Sequence, residues 1–374
     1  MYESINNYLN TLLRDSAPDA PVWNIESIRQ GKKPHWNYID GCMITALIQL
    51  SLITKDVRYS KFAEDFISYY IDDNGNILGY DQEKFNLDDI NEGRVLFYLY
   101  EKTGNEKYKK AMDTLHRQLL GQPRTETGNF WHKKIYPHQI WLDGIYMAQV
   151  FSALYEEKCL KGDCSDIVKQ IENVEKLMRD PSTGLYFHGC DVSKKAFWAD
   201  PATGCSKSFW LRSMGWFMIA LADLSEILDE ASAKTTGRIL KDLIESIAKY
   251  ADPETSMYYQ VPDKVERQGN YLETSGSAMV AYAMLKAARL GIAEEKYAVL
   301  GQKTFDGICK KYLKETENGL TLSGICLVAG LGPEDNKRRD GTFEYYISEP
   351  VVENDAKGVA PFILCYTEIL RRFK

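Results

Sequence analysis

Apolar positions recur every three to four residues along most of the chain, the period of an amphipathic helix, and seldom alternate with the period of two that marks a half-buried strand. Phased with caps and breakers, the pattern predicts about twelve helices, near residues 2–14, 38–53, 57–71, 89–103, 106–120, 139–158, 164–178, 209–229, 233–250, 274–290, 293–312 and 355–372. The stripes Tyr59, Phe62, Phe66, Tyr70, then Tyr108, Met112, Leu115, Leu119, then Ile167, Ile171, Val174, Met178 belong to helices with one face in a core and one in water. Short β pairs are expected only in loops, around 256–261 or 319–328.

Two regularities arrange these helices. Thr54-Lys-Asp-Val-Arg-Tyr59 and Thr103-Gly-Asn-Glu-Lys-Tyr108 repeat a T-x-x-x-[RK]-Y turn between an apolar helix and an amphipathic one, as helical hairpins of a toroid or solenoid do. A glycine also stands near the start of every other helix, at Gly41, Gly93, Gly144, Gly215, Gly276 and Gly358. Glycine inside a helix costs roughly 1 kcal/mol against alanine, so its recurrence calls for a packing reason, which inner helices converging on one axis supply. Connections leaving the glycine-bearing helices are short, whereas those leading into them (15–37, 72–88, 121–138, 179–208, 251–273, 313–354) are long. An (α/α)6 barrel puts all the long loops on one rim, where long loops usually carry function. The expectation is one barrel domain over residues 1–374.

Composition narrows the chemistry. A formal charge of -7 with no basic cluster speaks against nucleic acid. No apolar run is long enough to span a bilayer, and the N-terminus has no basic region followed by an apolar core, so a cytoplasmic protein is expected. The eight cysteines form no CxxC pair, and no His, Glu or Asp spacing suggests a metal site or other cofactor. The expected rim holds Trp23, Trp36, Trp131, Trp141, Trp198, Trp210, His35, His132, His138 and His188. Flat apolar sugar faces stack on such rings and hydroxyls need convergent polar groups, so a small oligosaccharide is the expected partner, bound by a monomer or weak homo-oligomer.

The densest stretch is WHKKIYPHQIWLDGIYM, from Trp131 to Met147. Pro137 keeps a helix from starting earlier, which sets Asp143 near a helix start. That position suits a capping carboxylate and equally a catalytic one. Asp88 opens the preceding inner helix, with Asp89 and Glu92 as competing helix-start acids. Were Asp88 and Asp143 neighbours, one carboxyl would rise in pKa and stay protonated as a general acid. Arg212, on an otherwise apolar and aromatic helix, needs an anion, either a structural carboxylate or one on the substrate. Trp216, one turn on, reads as core packing or as a stacking platform, and His138 and His188 read singly as structural.

The segments WHKKIYPHQIWLDGIYMA, SFWLRSMGWF, YLETSGSAM and EYYISEPVVENDAKGVAPF resemble the unsaturated rhamnogalacturonyl hydrolases of glycoside hydrolase family 105, and the chain is more distantly similar to the unsaturated glucuronyl hydrolases. The resemblance implies an (α/α)6 barrel that removes a 4,5-unsaturated uronic acid from the non-reducing end of pectin-lyase products. It places the acid and base at Asp143, and the uronate subsite at Asp88, the loop from His132 to Tyr136, His188, Arg212 and Trp216. Trp141 and Asp40 are further candidate contacts, Asp40 lying in the His35–Gly41 segment expected to shape the leaving-sugar side. An unsaturated glucuronyl hydrolase with another leaving sugar, an inverting glycosidase with Asp88 and Asp143 flanking a water, a two-histidine epimerase and a binding barrel are the competing expectations.

Overall fold

The structure is a computed structural model describing residues 2–317 and 319–373. It is an (α/α)6 barrel. The inner ring runs Tyr38–Thr54, then Asp88–Asn91 continued by Arg94–Thr103, then the helix opening at Leu142, then Leu211–Ile227, Thr274–Arg289 and Ala356–Arg372. Ala356–Arg372 packs back on Tyr38–Thr54 and closes the ring. The outer helices Val57–Tyr70, Glu106–Gly121, Ser165–Met178, Glu230–Ile247 and Glu295–Tyr312 each return from an inner one.

Inner helices are buried on nearly every side, Leu211–Ile227 without a break from Leu211 to Leu224. Outer helices keep a polar face. The hairpin repeat recurs atom for atom: Lys55 and Gly104 adopt left-handed backbone at φ 64° and 65°. Asp56 and Asn105 then cap the next helix by accepting from the Arg58 and Lys107 backbone N–H groups. The inner-helix glycines mark close approaches. A Cβ on Gly41 would stand 2.6 Å from Glu92 Cα, and one on Gly276 would stand 2.4 Å from Leu211 Cγ.

Three two-stranded sheets decorate the loops. Gln139–Trp141 pairs antiparallel with Gly189–Asp191, Leu313–Thr316 with Gly319–Leu322, and Ile325–Cys326 with Val351–Val352. The expected strand near 319–328 is therefore present, while Tyr259 makes only an isolated bridge to Leu272. The helix expected from 139 begins at Leu142, because the residues before it are held by the first sheet. It then passes through a π turn, Ile145–Gln149, and such turns are frequent beside functional sites. The helix expected over 89–103 is interrupted at Glu92 and Gly93. Short helices Ile25–Gln30 and Phe343–Ile347 lie where only loop was expected. Among the described residues no helix is long and apolar enough to cross a membrane.

Candidate active site

The long loops gather over the N-termini of the inner helices and enclose a pocket of about 220 Å³. Its wall comes from segments distant in sequence: Glu26 to Tyr38, Asn86 to Asp89, His132 to Met147, Val328 to Gly330, and Arg339.

Asp143 stands in the first turn of its helix, directly after Trp141 leaves the sheet. Its Oδ2 lies 3.3 Å from His188 Nε2, facing it without the alignment of a hydrogen bond. His188 is fully buried, and its Nδ1 is 2.8 Å from the Tyr346 hydroxyl. Burial pushes the Tyr346 phenol well above its ordinary pKa, so it keeps its proton. A phenol donating to Nδ1 leaves the imidazole N–H on Nε2, aimed toward Asp143.

Asp88 sits on the neighbouring inner helix. Lys133 Nζ approaches it at 2.6 Å and His132 Nε2 at 3.5 Å. Burial would raise the Asp88 carboxyl, but the Lys133 ammonium, with the adjacent His132 imidazole, outweighs it and holds the group below its ordinary value. His132 is driven the other way, by burial, to about 4, and is neutral near pH 7. A Cβ on Gly144 would lie 3.0 Å from His132 Nδ1, so the glycine after Asp143 lets this imidazole close on the helix. The carboxyl that rises in this pocket is Asp89, to about 7, through burial and the charge of Asp88. The split expected of Asp88 and Asp143 falls instead on Asp88 and its sequence neighbour Asp89, which gains the proton.

One wall is aromatic. Tyr136, Trp141 and His132 stack in series, with Trp141 4.7 Å from Tyr136 and 4.4 Å from His132 between ring centroids. Four other rim tryptophans are packing residues. Trp23, Trp36, Trp198 and Trp210 are almost wholly buried. Trp23 donates to Asp40, and Trp36 donates to the Asp89 carbonyl at 2.7 Å.

The structure thus gathers Asp143, Asp88, His132, Tyr136 and Trp141 on the pocket surface, with His188 directly behind Asp143. Three other expected contacts lie elsewhere. Asp40 accepts hydrogen bonds from Trp23, Asn24 and Asn37 and holds the first inner helix to the loop before it, away from this pocket. Trp216 is buried one turn below and stacks on Tyr146 at 4.8 Å. Arg212 donates to the Cys326 and Leu327 carbonyls and to Ser275, and lies over the Trp210 ring, so it ties the last rim loop to the barrel. Among the described residues no group of three or more His, Cys, Asp or Glu is placed to hold a metal ion.

Sequence reading missed Glu26, Lys32 and Arg339, which line the pocket from long loops. Their only trace was charge in those segments, in ESIRQGKK and NKRRD.

Six inner helices, backed by outer ones, around a pocket walled by aromatics and lined with carboxylates define an (α/α)6-barrel glycoside hydrolase. Residues 20–373 match the family described as Glycosyl Hydrolase Family 88, and the chain belongs to the glycoside hydrolases of families 88 and 105. A family 105 glycoside hydrolase of C. acetobutylicum ATCC 824 is 39% identical, with a TM-score of 0.87, over 96% of this chain and 98% of that one. Protein Atu3128 of Agrobacterium fabrum is 42% identical over 212 residues, 55% of this chain and 90% of that protein. The unsaturated rhamnogalacturonyl hydrolase YesR of Bacillus subtilis is 21% identical over 264 residues, 68% of this chain and 72% of YesR.

Proposed function

We propose that this chain removes a 4,5-unsaturated uronic acid from the non-reducing end of lyase-generated oligosaccharides, with unsaturated galacturonyl-rhamnose from rhamnogalacturonan as the substrate and the cytoplasm as its place of action. The observation that carries this reading is Asp143 at the pocket surface, backed at 3.3 Å by a fully buried histidine and flanked by the Trp141 ring. A vinyl ether is cleaved by protonating carbon, which needs a positioned acid in a site that excludes water. Asp143 gives its proton to C4, and Asp88, held ionised by Lys133, stabilises the positive character that develops at C5. Asp143, now a carboxylate, takes a proton from the water that adds at C5. The hemiketal so formed opens and releases the neighbouring sugar. His188, fully buried with Nε2 3.3 Å from Oδ2, backs the Asp143 carboxyl and limits where it can move.

Asp89 supports a second reading, since its carboxyl keeps a proton up to about pH 7 without substrate. Absorbance of the conjugated double bond, followed with wild type, Asp143→Asn and Asp89→Asn, separates the two. Loss of signal with wild type and Asp89→Asn but not Asp143→Asn fits Asp143 as the acid. The reverse pattern moves the role to Asp89, and no loss with any of the three overturns the assignment.

A further inference from the structure

Two parts of the pocket wall differ in charge. At one, Asp88 is neutralised by Lys133 at 2.6 Å. At the other, three cations act on one carboxylate: buried Lys357 Nζ lies 3.2 Å from Glu26, and Lys32 and Arg339, which line the pocket, act on Glu26 from further away. Burial opposes the charge on Glu26, yet these cations hold it below its ordinary value. Lys357 is shared with Asp355, also at 3.2 Å. Counting Lys32, Lys357 and Arg339 against Glu26 and Asp355 leaves one positive charge, and burial raises the Asp355 carboxyl, which tips the balance further.

Arg339 is also set where a sugar chain must pass. A Cβ on Gly330 would stand 3.2 Å from Arg339 Nη1 and 3.5 Å from the Trp141 ring, so only bare backbone separates the guanidinium from the aromatic wall. Its loop is pinned, since Gly332 N–H donates to the Arg339 carbonyl at 2.8 Å. Among the described residues neither Arg339 nor Lys32 lies within 4.0 Å of a carboxylate oxygen. A guanidinium beside a stacking wall is the geometry for a planar carboxylate borne on a sugar ring.

We propose that Arg339 and Lys32 form an anion subsite on this part of the pocket wall that takes the carboxylate of a uronic acid residue in the leaving part of the substrate. This rests on the reading that the non-reducing residue reacts at Asp143, for the leaving chain then runs out past Trp141 and Gly330. Substrates that extend unsaturated galacturonyl-rhamnose by a further uronic acid are then turned over with a higher kcat/KM than the disaccharide itself.

Two arms test it. In the kinetic arm, kcat/KM is measured for an unsaturated tetrasaccharide with a uronate in its leaving part and for an unsaturated disaccharide with a neutral leaving sugar. Arg339→Gln combined with Lys32→Gln lowers the acidic-to-neutral ratio about tenfold, through KM, and Arg339→Lys restores part of it. In the binding arm, saturated trigalacturonate and neutral galactotriose are titrated by calorimetry into the wild-type protein and the double variant. The wild type binds the acid about tenfold more tightly at low salt, and the double variant binds both alike. Equal affinities in the wild type, or an equal loss on both saccharides in the variant, overturn the subsite. Should no unsaturated substrate be turned over, the functional reading fails while the binding arm still decides the subsite.

Discussion

The barrel holds two polar clusters, one at the rim and one centred on buried Asp223, and they are built on opposite plans. In the second, Asp223 accepts from Arg94 at 2.7 Å and from Lys286 and Tyr282 at 2.8 Å each. Lys286 and Arg289 continue to Glu226, and Arg289 to Glu368. Four inner helices are thereby bound by charges that neutralise one another. At the rim, Asp143 Oδ2, His188 Nε2 and His132 Nδ1 have no hydrogen-bond partner among the described residues. A buried network whose groups are matched locks helices together. Donors and acceptors converging on a pocket without matching one another leave their capacity for a ligand.

The contrast predicts opposite phenotypes. The largest effect belongs to Asp143→Asn, which removes the transferable proton and keeps the shape. Turnover falls about a thousandfold or more while the urea midpoint shifts little. A variant that unfolds early, or keeps a tenth of wild-type activity, would put Asp143 with the structural carboxylates.

Asp223→Ala does the reverse. It strands Arg94 and Lys286 without their shared anion, and losing one partner of a buried pair costs about 3–5 kcal/mol. Activity per folded molecule stays within a few-fold. Burial raises the Asp223 carboxyl, but Lys286 and Arg94 override it and hold the group below its ordinary value. Its contribution is therefore present above the unfolded carboxylate pKa and lost as pH falls through the folded value. The wild-type and variant urea midpoints converge toward acid, and a gap that stays constant with pH would deny the linkage.

How much of this was readable beforehand follows from what each feature depends on. The hairpin turns and inner-helix glycines are local: a residue in left-handed backbone, a cap two residues on, a helix surface with no room for Cβ. Each leaves a mark at its own position, so the barrel could be read from the chain. Asp143 and Asp88 were legible for the same reason, as carboxylates at helix starts. The partners of those groups are long-range. Nothing at Tyr346 says that its hydroxyl meets His188, 158 positions earlier. Arg212 read as needing an anion, whereas its partners proved to be neutral acceptors, the carbonyls of residues 326 and 327, brought in by a loop. Tryptophans were over-read because a rim position does not fix orientation, and most turned inward to pack.

A smaller, pH-dependent effect is expected at Asp89. Its pKa rises from the ordinary carboxylate value of 3.8 to about 7, so the folded state binds this proton more tightly than the unfolded one. Stability from this group is present in acid and lost as pH rises toward and through 7. Asp89→Asn, which keeps the neutral shape, therefore raises the urea midpoint at pH 8 and changes little near pH 4. The same gain at both pH values would mean that the carboxyl is not titrating there.

The smallest effect concerns Trp216, which lies between the two clusters. Its ring stacks on Tyr146 at 4.8 Å, and the other partner of Tyr146 is Arg94, at 4.7 Å from the ring centroid. The series Trp216, Tyr146, Arg94, Asp223 is continuous, so Trp216 is tied to the Asp223 network while sitting a turn beneath the pocket. Trp216→Phe keeps an aromatic face and loses part of the contact area, costing about 1–2 kcal/mol in the urea midpoint with KM unchanged. If Trp216 instead forms part of the substrate platform, KM rises while the midpoint holds. Combining Trp216→Phe with Asp223→Ala sharpens the distinction. Residues in one network are non-additive, so the double variant loses less stability than the sum of the singles, whereas pairing it with Asp143→Asn gives simple addition in stability.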